Sequence, residues 1–318
     1  MKTALSIIFG ILLIAIIIYA IGAEEVLTVI SQADIACLLP ALLATPLIWA
    51  LQSIRLKMIL DLQKYQVSLK DTAKIHIASV IVSALTPFIK VSGTPLKIFA
   101  LTRRNIPASR AFASVTAEAL LDAFLFIAVF TLLLAGIYFE GPLPSQLLYI
   151  GASISLALLI AALSLPKIFS RKNLENLLKF IAKRYPNLRP EQDSKNFRLT
   201  VSRVIKDRKI IAASAAVSTA TCIIDLARIW LILSALGISA GLTLVIAAWI
   251  AIMALASVPG LPGGLGIVEG GTASFMAFLG VPPAAALSFA IIDRLVSIWL
   301  PMLLGIPITA NLDLKNKV

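Results

Sequence analysis

Pro259-Gly260-Leu261-Pro262-Gly263-Gly264-Leu265-Gly266-Ile267-Val268-Glu269 stands between two long apolar runs, and its reading decides the fold. Its first eight residues hold four Gly and two Pro, and an acid follows at Glu269. Helix breakers at that density unwind the backbone. Within a bilayer, unwound backbone survives only where protein covers it or where it lines a wet cavity. Transporters build sites on broken segments of this kind. Pro259, Pro262, Gly263, Gly264 and Gly266 therefore mark a re-entrant hairpin.

Composition supports a membrane setting. The chain has 318 residues, 59% of them hydrophobic, with mean hydropathy +0.97. Several runs reach the roughly 20 residues needed to cross a ~30 Å hydrocarbon core. The first covers 4–23. Lys2 before it and Ala20-Ile21-Gly22 near its end resemble a secretory leader, but the run exceeds the usual ~7–15-residue apolar region. An uncleaved first helix is expected.

The net charge of +12 excludes nucleic-acid binding once its distribution is read. The Lys and Arg residues gather at Lys2, in 55–110, in 167–209, and at Lys315 and Lys317; Arg228 and Arg294 lie within apolar runs. Basic segments of that kind sit on the cytoplasmic side and against anionic headgroups. Both termini are therefore expected in the cytoplasm, with the chain in the plasma membrane. Cys37 and Cys222 lie in apolar surroundings, and His76 is the single histidine. No metal site, cofactor or histidine-based catalytic residue is expected.

These patterns predict an all-α polytopic membrane protein, one integral membrane domain over 1–318. Six full transmembrane helices are expected, at 4–23, 35–54, 111–139, 145–165, 210–236 and 284–308. Residues 58–74 read as a basic connector, and 167–209, with 13 Lys or Arg against four acids, as a solvated basic cytoplasmic loop. Helical spacing over 173–183 suggests that part of this loop lies on the membrane surface. The short run 75–89, broken at Pro87 and flanked by basic residues on both sides, reads as a first re-entrant hairpin. The 242–280 segment is the second, entered from the other side. Ile106-Pro107 and Val281-Pro282 precede matching helices, and an acid stands eleven residues beyond each proline, at Glu118 and at Asp293. Opposed hairpins followed by opposed helices predict an inverted-topology repeat.

Seven ionisable residues fall inside apolar segments: Glu118, Asp122, Asp225, Arg228, Glu269, Asp293 and Arg294. Each costs about 2.5–3.5 kcal/mol at a helix centre on insertion scales, so each should face the protein interior or a wet cavity. Glu118 and Asp122 share a helix face, and Asp225 and Arg228 can pair. Asp293 and Arg294 point about 100° apart and need different partners; Arg294 can meet Glu118 or Glu269. Five acids against two arginines leave negative charge for Lys90, Lys97, a coupling proton or a cationic substrate group. Lys90 and Lys97, with Ser92, Gly93 and Thr94, suit a phosphate held by ammonium groups and free backbone N–H groups. With Arg294 they form the expected headgroup site.

At these residues the chain resembles the flippase-like membrane family related to the lysylphosphatidylglycerol synthase transmembrane region. The likeness covers nearly the whole chain. Its strongest piece is Pro262-Gly263-Gly264-Leu265-Gly266-Ile267-Val268-Glu269 with Gly280-Val281 and Asp293-Arg294-Leu295. The second is Pro87 through Lys97 with Ala113-Ser114-Val115, Glu118 and Asp122. Two positions depart from the pattern: the hairpin's usual acid is Thr94, and the arginine after the helix acid is Ala119. The resemblance implies a protein that moves a phospholipid or a lipid-linked phosphate between leaflets. The chain ends at Val318, so the soluble aminoacyl transferase part of the better-known relatives is not expected, nor is synthase activity. Two other functions fit: a non-transporting scaffold or partner of a cell-envelope or glycolipid assembly complex, docking through 167–209, and a membrane enzyme acting on lipid phosphates. An anionic membrane lipid is the expected partner. A homo-oligomer or an envelope enzyme remains a possible further one.

Overall fold

The computed structural model describes residues 2–86, 93–140, 190–256 and 261–309, with isolated helical positions at 153, 156, 160 and 173. Among the described residues every regular element is helical. In chain order these are α1 (Lys2–Ile21), α2 (Ala23–Ser31), α3 (Ile35–Leu62), α4 (Leu69–Ala84), α5 (Thr94–Thr102) and α6 (Ala108–Glu140). Then come α7 (Pro190–Lys206), α8 (Arg208–Ala235), α9 (Leu242–Leu255), a 3₁₀ turn (Pro262–Gly264) and α10 (Ile267–Phe278). The last are α11 (Pro283–Arg294), a π turn (Leu295–Trp299) and α12 (Leu300–Thr309).

Side-chain caps explain where several helices start. Asp34 Oδ1 accepts the Ala36 N–H (2.8 Å), and Asp207 Oδ1 accepts those of Lys209 (2.9 Å) and Ile210 (3.0 Å). Ser68 and Asp71 form a reciprocal cap at the head of α4. Each cap satisfies amide hydrogens that the helix itself leaves open.

Three helices among the described residues are long and apolar enough to cross a membrane: α3, α8 and the continuous Pro283–Thr309 segment. A fourth span results if α1 and α2, bent by 94°, are taken together. The bend falls at Gly22, and the stretch carrying Glu24 and Glu25 is helix α2 and not a loop. The outward surface is apolar. Along α3, Ile35, Leu39, Leu43 and Leu47 form an exposed stripe at four-residue spacing. Arg55, Glu118, Arg228, Glu269, Asp293 and Arg294 are buried. Charge inside and hydrocarbon outside suits lipid as the solvent.

The chain folds into two compact units. The first comprises Met1–Leu51, Ala73–Lys97 and Thr221–Asp313; the second comprises Gln52–Thr72, Ile98–Ala220 and Leu314–Val318. In the first, α10 packs on α9 and α11, α2 on α11, and α1 lies across the 3₁₀ turn. Trp49, Ile77 and Ile81 form a core cluster there, with Val80 and Met302 against it.

In the second unit α7 packs along α6. Phe112 and Phe197 meet at 5.0 Å, and Ile59, Ala117, Leu121, Val204 and Ile210 form the core. This corrects the reading of 167–209 as solvated loop over 190–206. Ser194, Phe197 and Val204 are buried with Val201 beside them, while Lys195, Arg198, Arg203 and Lys206 face outward. The proposed surface helix over 173–183 lies outside the described residues except Asn173. Residues 58–74 are not a connector either: α3 runs on to Leu62 and α4 begins at Leu69.

Candidate functional site

The Pro/Gly stretch breaks the helix as its composition requires. Gly263, Gly264 and Gly266 have φ of +63°, +68° and +78°. That region costs an L-residue about 1–2 kcal/mol. Pro262, Gly263, Gly264 and Leu265 are buried, and α1 covers them by bringing Gly10 against Leu265 and Leu13 against Gly266. At Gly263 a β-carbon would stand 3.0 Å from the Ala84 carbonyl oxygen and 3.5 Å from Trp299. The turn thus abuts the C-terminal end of α4.

Three acids and two arginines hold this turn and the helices beside it. Glu269 Oε2 accepts the Gly266 N–H (2.7 Å) and so caps α10. Glu269 Oε1 accepts Arg294 Nε–H (3.1 Å), and the Arg294 guanidinium also donates to the Gly263 carbonyl. Of the two partners open to Arg294, the fold selects Glu269. Arg228 donates to Asp225 Oδ1 (2.7 Å) and to Asp293 Oδ1 (3.1 Å), joining α8 to α11. Asp293 is 1% exposed, and its Oδ2 has no hydrogen-bond partner among the described residues. Asp293 and Arg294 do need different partners, and the π turn begins immediately after them.

Beside the meeting of Gly263 and Ala84 lies a cavity of about 240 Å³. Its polar lining comes from His76, Ser79 and Ser83 on α4, Gly93, Thr94 and Lys97 at the head of α5, and Ser297 on the π turn, with Trp49 and Met302 among the apolar walls. Lys97 and His76 are 8% and 9% exposed. Gly93 is demanded by close approach: a β-carbon there would overlap the Ser79 carbonyl oxygen. Its N–H donates to Ser83 Oγ (2.9 Å), which corrects the expectation that this amide is free to hold a phosphate. Trp49 falls near the middle of the 28-residue α3 and Ser297 near the middle of the 27-residue Pro283–Thr309 segment. A second cavity, about 400 Å³, opens between α1 and α10 on an almost wholly apolar lining that includes Leu13, Ile17, Gly270 and Ala277.

The second unit has its own ionic knot. Arg55 on α3 donates to both oxygens of Asp122, to Gln52 Oε1 and to Ser218 Oγ (3.2 Å), and stands 3.6 Å from Glu118. Glu118 and Asp122 do share a face, as their spacing requires, and Arg55 occupies it.

The structure therefore brings Gly93, Thr94 and Lys97 together, joins Arg228 to Asp225 and Asp293, and joins Arg294 to Glu269. It does not bring Arg294 into the described lining of the polar cavity; that guanidinium is committed to the turn. Pro87, Lys90, Ser92 and Pro259 lie outside the described residues. Sequence reasoning missed Arg55, which looked like a boundary marker at the end of an apolar run. A third arginine reduces the expected surplus of negative charge. It also missed His76, Ser79 and Ser83, whose i, i+3, i+7 spacing is a polar helix stripe.

The profile of the Lysylphosphatidylglycerol synthase TM region family matches residues 3–305. A UPF0104 membrane protein of Pyrococcus horikoshii is 27% identical over all of this chain and 98% of its own length. One of Methanothermobacter thermautotrophicus is 25% identical over 96% of this chain and 94% of its own, and one of Methanocaldococcus jannaschii 25% identical over 96% and 93%.

Proposed function

The chain belongs to the family of the lysylphosphatidylglycerol synthase transmembrane region, and on that premise we propose that it is a lipid translocator. It would move a phospholipid or lipid-linked phosphate between leaflets without changing it chemically. The observation that carries this reading is the polar cavity where the broken turn meets α4, lined by Lys97 and five other polar side chains near the middle of two span-length helices. A cavity lined by basic and hydroxyl side chains at that depth has no packing purpose, and transporters bind substrate at such places.

In this reading Gly93, Thr94 and Lys97, joined by Lys90 and Ser92 of the same hairpin, receive the headgroup. The apolar cavity between α1 and α10 suits its hydrocarbon chain. Arg294 and Glu269 hold the turn in place, and Asp293, with one oxygen that has no hydrogen-bond partner among the described residues, is the coupling position. Movement of one hairpin against the other would open the cavity to each leaflet in turn. The basic segments favour the plasma membrane with both termini cytoplasmic. The repeat has support in the ion pairs: Glu118 and Asp293, at equal offset after Pro107 and Pro282, each meet an arginine from the long helix preceding a hairpin, Arg55 and Arg228.

The test is a leaflet-access assay in liposomes holding the purified protein, with fluorescent lipids of several headgroup classes. Selective movement that falls at least tenfold in Lys97→Gln supports translocation. Absence of movement for every lipid, in folded protein, would sink it and favour a docking role for the outward basic face of α7.

A further inference from the structure

We propose that the polar cavity takes a bare anionic phosphate and rejects headgroups that carry an ammonium, aminoacylated and ethanolamine lipids included. The inference rests on the translocator reading for its lipid and on the cavity for its chemistry.

Charge comes first. The described lining holds Lys97 and the titratable His76, and no Asp or Glu. The acids within the apolar helices of this unit are already engaged: the half-buried Asp225 and the buried Asp293 on Arg228, and Glu269 on Arg294 and the Gly266 amide. A substrate ammonium placed here would sit beside Lys97 with no carboxylate to pair with, and an unpaired buried charge is strongly disfavoured.

Hydrogen bonding points the same way. Four hydroxyls line the space, from Ser79, Ser83, Thr94 and Ser297; the Ser79 hydroxyl already donates to the His76 carbonyl (2.7 Å), which leaves the other three as donors. Ser83 Oγ accepts the Gly93 N–H, so its own hydrogen is directed elsewhere. The first turn of the nine-residue α5 faces the cavity through Gly93, Thr94 and Lys97, and a helix N-terminus carries positive potential. Hydroxyl donors, an ammonium and a helix head are the partners of a phosphate oxygen.

The experiment is competition binding on the full-length protein in detergent, with fluorescent phosphatidic acid as the probe. Competitors are phosphatidic acid, phosphatidylglycerol, phosphatidylethanolamine, lysyl-phosphatidylglycerol and inorganic phosphate. The anionic lipids should displace the probe at concentrations at least tenfold lower than the ammonium-bearing ones. Lys97→Gln should weaken probe binding at least tenfold, and Thr94→Glu, which places a carboxylate on the cavity wall, should reverse the ranking of phosphatidic acid and lysyl-phosphatidylglycerol. Lys57→Gln should leave both unchanged. Inorganic phosphate should compete only far more weakly than the lipids; parity would assign the site to free phosphate and overturn the lipid proposal. Equal or better competition by lysyl-phosphatidylglycerol in the unaltered protein also overturns it, as does failure of the probe to bind. Anionic selectivity in binding without movement in liposomes would remove the translocator reading and leave this selectivity standing. Movement that favours the aminoacylated lipid would do the opposite.

Discussion

Arg55 holds Glu118 and Asp122 in the second unit, while Arg228 holds Asp225 and Asp293 in the first. Both arginines are buried and both join long helices. Their surroundings differ. The Asp122 side chain is 43% exposed, whereas that of Asp293 is 1% exposed. Around Arg55 the helices are unbroken: α6 runs 33 residues, and α7 packs beside it. The first unit, by contrast, also contains the 3₁₀ turn, the π turn and the polar cavity. Intramembrane charge alone is thus a poor guide to a site. It locates a site when broken backbone and polar space accompany it.

The comparison can be broken most directly by removing each arginine. Arg228→Leu leaves two carboxylates without a cation, one of them fully enclosed, and orphaning a buried pair costs about 3–5 kcal/mol. Arg55→Leu also strips the cation from an enclosed acid, Glu118 at 3.6 Å, but its main partner Asp122 can turn to solvent or headgroups, so it should cost somewhat less. Chemical unfolding in detergent checks both; equal losses would mean that exposure of the partner acid is irrelevant. Adding Asp293→Asn to Arg228→Leu should recover part of the loss, since it removes the enclosed charge.

Next in size is the turn. Gly263→Ala forces an L-residue to φ +63° and pushes its methyl group against Ala84, at about 1–2 kcal/mol for the dihedral alone. Among the described residues the second unit has two at positive φ, Lys64 at +66° and Asn105 at +60°. Asn tolerates that region, so Asn105→Gly should change stability by less than about 1 kcal/mol. In the liposome assay Gly263→Ala should slow lipid movement while Asn105→Gly does not. Equal effects would mean that the turn has no special place in the cycle.

The parts of this architecture that were legible in sequence are those that depend on one residue or on neighbours. Gly263 and Gly266 announce positive φ because few other residues tolerate it. Asp225 and Arg228 announce a pair because i, i+3 places them on one face. Residues were misread where composition hid periodicity: the buried stripe of Ser194, Phe197 and Val204 lies within a segment dominated by Lys and Arg. Arg55 was misread because a charge ending an apolar run looks like a membrane boundary, although Leu56, Ile59 and Leu60 continue the buried face beyond it. The polar cavity was legible only in part, at Gly93, Thr94 and Lys97. It is a relation among α3, α4, α5 and the π turn, which are far apart in sequence, and no residue type marks a π turn.

A smaller expected effect compares the two acids directly. Asp122→Asn keeps Arg55 bonded to Gln52, Ser218 and a neutral amide, with Glu118 still beside it. A half-exposed ion pair is worth about 0–1 kcal/mol, so the loss should stay in that range and lipid movement should persist. Asp293→Asn should leave folding within reach and yet slow movement if the proposed coupling role of Asp293 holds. A transport defect of equal size in Asp122→Asn would erase the distinction between the two units.

The smallest effect belongs to a pair that resembles the others only in sequence. Lys57 and Asp61 sit at i, i+4 on α3, 2.8 Å apart and partly exposed. They lie two and six residues beyond Arg55, yet the pair encloses nothing. Exposed helix pairs of this spacing contribute about 0.3–0.5 kcal/mol and weaken with salt. Lys57→Gln should therefore shift unfolding by no more than that, lose the shift at high salt, and leave lipid movement unaltered. A loss comparable to that of Arg55→Leu would mean that the Arg55 knot extends along α3 to Asp61, and that the second unit's ionic network is larger than its buried part.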